Sequence, residues 1–169
     1  EKEKAAARTL LPFVMCRSSK EYPDFTKLSQ RLAELYGADL HADTQKVGDT
    51  HVISLTVSSL ADRYTLNQEH LALELTRLLC SVIFDPPWDA EHCFSQENFH
   101  QEQRQALEMI DAEYNDKRMY AKQRCEQIMF SSEQYGIPRY GSREDIENLL
   151  RPQLTEAWEE LLQRSKIEI

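Results

Sequence analysis

The sequence predicts an α+β domain in which helices pack on one face of an antiparallel sheet. Most of the chain has apolar residues at three- and four-residue spacing, which is typical of helices with one buried side. Residues 38–58 instead alternate with a period of two around a turn, as the strands of a hairpin do. The two patterns occupy separate stretches, and 169 residues are enough for one domain with a hydrophobic core.

Two helices are predicted before the hairpin. The first covers residues 1–16, where Pro12 is expected to kink or end the helix. A loop follows at residues 17–23, and a second helix begins at Asp24 and stops at Gly37. The apolar stripe of this second helix consists of Phe25, Leu28, Leu32, Leu35 and Tyr36.

The hairpin is predicted from two alternating stretches, residues 38–45 and 50–58, with a turn at 46–49. The second strand has the more apolar composition and is expected to be the more buried. His41 and His51 are expected to face each other across the two strands. Such a pair could bind a metal, although a solvated pair is the favoured interpretation.

A strongly apolar helix is predicted at residues 71–84. Asn67 is its expected cap. The helix should end at Asp85, because two prolines follow and the residue before a proline disfavours helical geometry.

The longest predicted helical run covers residues 95–130 and contains neither proline nor glycine. Ser95 can cap its first turn. Asn115 and Asp116 could form a kink or a short turn between two helices, so one helix and two helices both remain open. The polar cluster at residues 114–117 could line a peptide chamber, although a helix junction held by Asn and Asp side chains is favoured.

The last part of the chain predicts two shorter helices. Ser142 caps the first, with Asp145 three residues on, and Pro152 breaks it. The second covers residues 154–162, and residues 166–169 resemble the start of a strand. Because the chain also opens without Met, it is expected to be a fragment of a longer chain that lacks its first strands.

Composition excludes several function classes. With 20 Lys and Arg against 29 Asp and Glu, the net charge is −9, which disfavours binding to nucleic acid or to an anionic membrane. No stretch has the apolar length needed to cross a bilayer. Four widely spaced cysteines favour reduced, buried thiols and therefore a cytoplasmic location. They are Cys16, Cys80, Cys93 and Cys125.

Several short motifs follow one another in a fixed order along almost the whole chain. They are Ser18-Ser19, Tyr22-Pro23, Leu35-Tyr36-Gly37-Ala38, Asn115-Asp116-Lys117 with Tyr120-Ala121, and Tyr135-Gly136-Ile137-Pro138 with Gly141. In this order they resemble the pitrilysin/insulinase family of zinc metallopeptidases, which includes the mitochondrial processing peptidase. The resemblance implies one domain of that metallohydrolase fold.

The resemblance fails at the catalytic motif. Active members carry His-x-x-Glu-His on the first helix and a further zinc-binding Glu on the long helix. Counted back from the Ser-Ser pair, the motif falls where Thr9, Pro12 and Phe13 stand, and the last ligand position falls on Met109. These side chains offer no zinc ligand of the usual kind and no general base, so no zinc is expected in this chain.

The resemblance therefore implies an inactive homologue similar to non-catalytic bacterial members. Such a protein would be the non-catalytic half of a heterodimer and would shape a peptide-binding chamber. Its partner would be an active pitrilysin-like peptidase subunit or a second domain of the same chain, and the chamber would hold an unfolded peptide. Two alternatives stay open: a piece of an active zinc endopeptidase whose metal site lies elsewhere in the parent chain, and a stand-alone peptide-binding module.

Two further clusters contain metal-ligating residue types. His92 and Cys93, together with His100, could bind a metal, although capping and surface roles are favoured. The long helix also carries a series of acids that resembles a carboxylate site, for which a solvated helix face is favoured. Its members are Glu102, Glu108, Asp111 and Glu113.

Phe13 and Met109 are expected to touch. Two positions that coordinate one ion in active relatives must converge, and large apolar side chains would fill the space left by the ion. If Phe13 is buried in this way, Phe13→Ala should destabilise the protein by about 3–5 kcal/mol.

Overall fold

The computed structural model describes residues 4–168 and confirms the α+β class. Seven helices and one two-stranded antiparallel sheet are found within these residues. In chain order they are α1 (Ala5–Met15), α2 (Phe25–Glu34), β1 (Asp39–Val47), β2 (Thr50–Ser58), α3 (Leu71–Phe84), α4 (Gln96–Asn115), α5 (Lys117–Met129), α6 (Arg143–Glu147) and α7 (Arg151–Arg164). None of these helices is long and apolar enough to cross a membrane.

Helix α1 lies at the centre of the core. Eight of its 11 residues are buried, and it contacts α4, α6, α7 and both strands. Leu10, Leu11, Val14 and Met15 are each 0–1% exposed. The helix is apolar on nearly every side, which is the pattern of a helix surrounded by other elements.

Pro12 does not end α1. The helix continues to Met15, and the Cys16 N–H donates to the Pro12 carbonyl at 3.2 Å. A proline inside a helix removes one backbone hydrogen bond. In α1 the packing of its eight buried residues compensates for this loss. Residues 1–3 of the predicted first helix lie outside the described residues.

The predicted limits of α2 are confirmed. The Asp24 carboxylate accepts a hydrogen bond from the Lys27 N–H at 2.8 Å, which caps the first turn. Tyr36 and Gly37 then adopt positive φ angles of 61° and 68°. This left-handed turn lets the Ala38 N–H donate to the Leu32 carbonyl at 2.9 Å, which closes the helix.

The hairpin forms as predicted, with a tighter turn. Val47 pairs with Thr50, so only Gly48 and Asp49 connect the strands, and β1 runs two residues further than expected. The prediction that the second strand is the more buried is wrong. The hairpin's one fully buried residue, Thr44, lies in β1, because that strand packs closely against α1.

Helix α3 ends before Pro86 as predicted, but Asn67 is not its cap. The N-terminal cap position is His70, whose side chain makes no capping bond. A carboxylate from the preceding short turn does this instead, since Asp62 Oδ1 accepts from the Ala72 N–H at 3.0 Å. The chain therefore satisfies the helix end from a residue too distant for a local cap motif.

The run at residues 95–130 is two helices, which settles the alternative that the sequence left open. Asp116 separates α4 from α5, and its Oδ1 accepts from the N–H groups of Arg118 and Met119 at 3.0 and 3.1 Å. The favoured interpretation of this segment as a helix junction is confirmed. Ser95 occupies the cap position of α4, yet its side chain makes no capping bond.

The C-terminal part differs in its helix limits. Ser142 and Asp145 form the expected capping box of α6, but α6 ends at Glu147. Pro152 lies in the first turn of α7 instead of breaking α6, because a proline there has no helical N–H bond to lose. Residues 165–168 form no strand, and Ile169 lies outside the described residues, so the predicted strand start is wrong where it can be assessed.

Candidate functional site

The three degenerate motif positions on α1 contain no free ligand. Thr9 is 0% exposed, and its hydroxyl donates to the Arg139 carbonyl at 3.0 Å. Pro12 is also buried, whereas Phe13 is half-buried. The hydroxyl of Thr9 is thus hydrogen-bonded to the loop before α6, and the side chains of Pro12 and Phe13 are hydrocarbons that cannot bind a metal.

Met109 lies on the second half of α4 and is 44% exposed. The fully buried residues of α4 stop at Ala106, and beyond it the half-buried Leu107 and Ile110 still pack against the core, whereas Met109 is exposed. The expected filling of the site by two buried apolar side chains is therefore wrong. Because Phe13 is only half-buried, its truncation should also cost less than the ~3–5 kcal/mol of a fully buried aromatic.

A buried ion pair joins the end of α1 to the first half of α4. Arg17 Nε lies 2.5 Å from Glu102 Oε1, and the two side chains are 13% and 6% exposed. One turn earlier, Asn98 Nδ2 donates to Ser18 Oγ at 2.9 Å. The guanidinium of Arg17 also lies over the Phe25 ring, 4.6 Å from its centroid, so both groups of the pair are enclosed.

The same ion pair affects the neighbouring thiol. Burial is the main reason that the pKa of Cys16 is raised to about 12. The Glu102 carboxylate also raises this pKa, and the nearby Arg17 guanidinium lowers it by less. Cys16 is therefore held as a neutral thiol. All four cysteines are free, as predicted, although only Cys93 is fully buried.

The predicted histidine clusters have other roles. The sheet register pairs His41 with Thr56 and His51 with Lys46, so the expected cross-strand histidine pair is wrong. His92 stacks on Trp88 with ring centroids 4.6 Å apart, and His100 contacts the Gln96 amide at 3.3 Å. Within residues 4–168, no three His, Cys, Asp or Glu side chains are arranged to hold a metal ion.

The acids of α4 do not form a shared carboxylate site. Each of the four predicted members has its own partner, and the four partners lie on different parts of the fold. The pairs are Glu102 with Arg17, Glu108 with Arg104 at 3.8 Å, Asp111 with Arg143, and Glu113 with Gln123 at 2.8 Å. The favoured interpretation of a charged helix face is confirmed for the last three, and Glu102 is the exception because it is buried.

An open groove of about 660 Å³ lies between the second half of α4, helix α5 and the loop at residues 131–142. Its volume is within the usual range for a ligand pocket. Aromatic and guanidinium groups make up much of its wall. They include Tyr114, Tyr120, Arg124, Arg139, Tyr140 and Arg143.

The loop wall of this groove is fixed to the hairpin. Arg139 forms an ion pair with Asp43, and Lys46 Nζ donates to the carbonyls of Tyr135 and Ile137, the latter at 2.8 Å. A hydrogen bond from Gln45, with further help from Arg139, lowers the pKa of the Asp43 carboxyl. The sequence suggested Tyr114 as a chamber residue only as the less favoured alternative to a helix junction, and it did not indicate Arg139, whose partner Asp43 lies 96 residues away.

These observations define a class of protein: an α+β domain with an open groove, in which Thr9, Pro12, Phe13 and Met109 provide no zinc-ligating side chain of the usual kind. Over 168 residues, or 99% of its length, the chain is 29% identical to the Probable inactive metalloprotease YmfF of Bacillus subtilis (strain 168) and covers 39% of that protein.

A solved structure shows the same fold. The chain matches the crystal structure of a conserved protein from Enterococcus faecalis V583 with a TM-score of 0.87 and 29% identity, over 96% of this chain and 38% of the other. No protein-family profile matches the chain. The chain therefore spans about two fifths of the length of each of these two proteins, one of them named a probable inactive metalloprotease.

Proposed function

We propose that this chain is a catalytically inactive peptidase homologue that serves as the non-catalytic half of a peptide-binding chamber. The observation that carries the proposal is the residue set Thr9, Pro12, Phe13 and Met109, which the resemblance to zinc peptidases aligns with the positions of their ligands and base. The name of the B. subtilis relative, probable inactive metalloprotease, supports the part of this proposal that concerns catalytic inactivity.

The chemistry of these positions accounts for inactivity. Zinc in a peptidase needs three protein ligands, commonly His and Glu, and an open position for water. Thr9 and Pro12 are buried without access for a water molecule, and the thioether of Met109, which is 44% exposed, is not a zinc ligand of the usual kind. The chain has no side chain at these positions that could polarise a peptide carbonyl or remove a proton from water.

The groove supports a role in holding peptide. Its tyrosines offer flat apolar surfaces with a polar tip, and its guanidinium groups can bind carbonyl or carboxylate oxygens. The partner in this proposal is an active pitrilysin-like peptidase subunit or a second domain of the parent chain, in a bacterial cytoplasm. The other chamber wall and the catalytic zinc then belong to that partner.

A second candidate function follows from the chain's coverage of its relatives. Because the chain matches only 39% and 38% of the two longer proteins, a parent protein could carry a zinc site outside these residues. In that case this domain is the wall of an active endopeptidase. The parent protein would then hydrolyse peptides without any second subunit, whereas the proposed inert half would not.

Metal binding tests the proposal directly. The protein is incubated with zinc at neutral pH and dialysed, and its metal content is measured together with its hydrolysis of fluorogenic peptides. We expect neither stoichiometric zinc nor hydrolysis. Stoichiometric zinc in the unmodified chain would overturn the inert assignment.

The quadruple variant Thr9→His, Pro12→Glu, Phe13→His and Met109→Glu tests the assignment of the positions. We expect weak zinc binding, and the double variant Thr9→His, Phe13→His is the control because it lacks the third ligand. Circular dichroism establishes that each variant folds. A folded quadruple variant that binds no more zinc than the double variant would show that the four positions do not converge.

A further inference from the structure

Helix α5 has the least burial of the α-helices in the described part of the chain, because none of its 13 residues is buried. The side chains that approach the body are polar and half-buried, namely Gln123, Glu126 and Gln127. Ile128 and Met129 point outward and are 66% and 67% exposed. A surface helix normally has the reverse arrangement, with apolar residues inside and polar residues outside.

The same helix is basic in an acidic protein. It carries Lys117, Arg118, Lys122 and Arg124 against the single acid Glu126, whereas the whole chain has a net charge of −9. Lys122 pairs with Glu126 at 3.9 Å. Among residues 4–168, no carboxylate lies within ion-pair distance of Lys117, Arg118 or Arg124, and Arg124 donates only to the neutral amide of Gln127 at 2.9 Å.

The free cations and the exposed apolar groups share one side of α5. Arg124 lies four residues before Ile128, and Lys117 lies seven residues before Arg124, so the three side chains form one stripe on a helix with 3.6 residues per turn. Arg118 and Met129 lie on the adjacent stripe. We call the outward side formed by these five residues the α5 face, and all five are exposed.

We propose that the α5 face binds an acidic segment of polypeptide that carries apolar anchor residues. The unpaired cations attract carboxylates, and the exposed Ile and Met side chains offer an apolar contact that becomes dry when a partner covers it. Met adapts its shape to different partners. An amphipathic acidic helix laid along α5 satisfies both requirements at once.

The exposed apolar groups distinguish this occupant from nucleic acid. The net charge of −9 of the chain opposes either anionic partner, but the phosphates of a nucleic acid would gain nothing from Ile128 and Met129. An acidic polypeptide approaches the same cations and also covers the apolar groups. The inference goes beyond the proposed function and does not require that the chain lack zinc.

Synthetic peptides test the proposal. The probe is a fluorescein-labelled amphipathic helix with Glu on its polar side and Leu on its apolar side, and binding to the intact protein is followed by anisotropy. One control peptide has Lys in place of every Glu, and another has Ser in place of every Leu. We expect only the Glu/Leu peptide to bind, and its affinity should fall as salt concentration rises.

Charge reversal on the protein sharpens the test. Lys117→Glu with Arg118→Glu, two cations of the α5 face that do not line the groove, should weaken binding of the Glu/Leu peptide by about tenfold or more and should create binding of the Lys/Leu peptide. The matched control is Arg164→Glu, at an exposed position at the end of α7, which should change neither affinity. Ile128→Ser with Met129→Ser should also weaken binding of the Glu/Leu peptide, but it should not create binding of the Lys/Leu peptide.

Three results would overturn the proposal. They are equal binding of the Glu and Lys peptides, no effect of the Ile128→Ser and Met129→Ser variant, and tighter binding of single-stranded oligothymidylate than of the Glu/Leu peptide. Circular dichroism of each variant establishes that the protein is folded. Zinc uptake by the unmodified chain would overturn the proposed function and would leave these peptide results unaffected.

Discussion

The two halves of helix α4 have opposite relations to the rest of the protein. In its first part, residues 96–106, Asn98, Phe99, Glu102 and Ala106 are all buried. In residues 107–115 none is buried, and Tyr114 is 65% exposed. Helix α5 also has no buried residue, so residues 107–129 together form an arm with little burial, of which Leu107 and Ile110 at the base still pack against the core.

Different interactions hold the two regions. The first half of α4 is joined to α1 by the Arg17–Glu102 ion pair and by packing with the central core. The arm is held by the Asp116 cap, by the edge-to-face contact of Tyr114 and Tyr120, whose ring centroids are 4.8 Å apart, by the Asp111–Arg143 ion pair, and by contacts of α5 with the turn at residues 134–136. Segments with few buried contacts open at lower free energy than the core and are well suited to binding partners.

Loss of the buried ion pair should have the largest effect. Glu102→Ala leaves the Arg17 guanidinium buried without a counter-charge, which should reduce the free energy of unfolding by about 3–5 kcal/mol. Urea denaturation followed by circular dichroism measures this change. The matched control is Glu108→Ala, because that acid is exposed and pairs with Arg104 at 3.8 Å; it should change stability by less than about 0.5 kcal/mol. Equal effects of the two substitutions would show that the Arg17–Glu102 contact is not a buried pair in solution.

Thiol reactivity should separate the same two regions. Burial and the Glu102 carboxylate raise the pKa of Cys16 from 9.0 to about 12, which makes its thiolate about a thousandfold scarcer near pH 8. Cys125, on the arm, is exposed. Iodoacetamide at pH 8, followed by peptide mass spectrometry, should label Cys125 and leave Cys16 unmodified. In urea both thiols should react. Equal labelling rates of Cys16 and Cys125 in the native protein would contradict the expected difference in reactivity.

The pKa of Cys16 also predicts a loss of stability in alkaline solution. Because its pKa is higher in the folded state than the ordinary value of 9.0, the unfolded chain releases this proton first as pH rises. The stabilisation is therefore fully present below pH 9 and is lost as pH increases through about 12. Urea midpoints measured across this range would show the decline.

Local sequence signals predicted the fold well where the physical cause is also local. The Asp24 cap, the left-handed turn at Gly37 and the Ser142–Asp145 capping box depend on residues within a few positions of one another. The alternation of apolar and polar residues also predicted both strands. The turn was predicted too long, because Val47 fits a turn or a strand equally well until the partner strand fixes the register.

The site was harder to predict because its contacts cross the chain. The helical spacing of the sequence places Met109 on the same stripe as Glu102 and Ala106, but it cannot show that Ala106 is the last fully buried residue of the helix. Arg17 and Arg139 gained their roles from partners 85 and 96 residues away, which no sequence motif connects. The near absence of burial on α5 is likewise a property of what surrounds that helix, since its composition alone is that of an ordinary surface helix.

The smallest expected effect comes from removing equivalent caps in the two regions. Asp24 and Asp116 each accept backbone N–H bonds at the start of a helix, and replacing such a cap with Ala typically costs about 1 kcal/mol. Helix α2 is anchored in the core by Leu28, which is 1% exposed, so Asp24→Ala should lower the global free energy of unfolding by that amount. Asp116→Ala should instead speed amide hydrogen exchange within α5 while leaving the urea midpoint nearly unchanged, because the arm opens without unfolding the core. If both substitutions lowered the urea midpoint equally, α5 would unfold together with the core, and the arm would not be an independent unit.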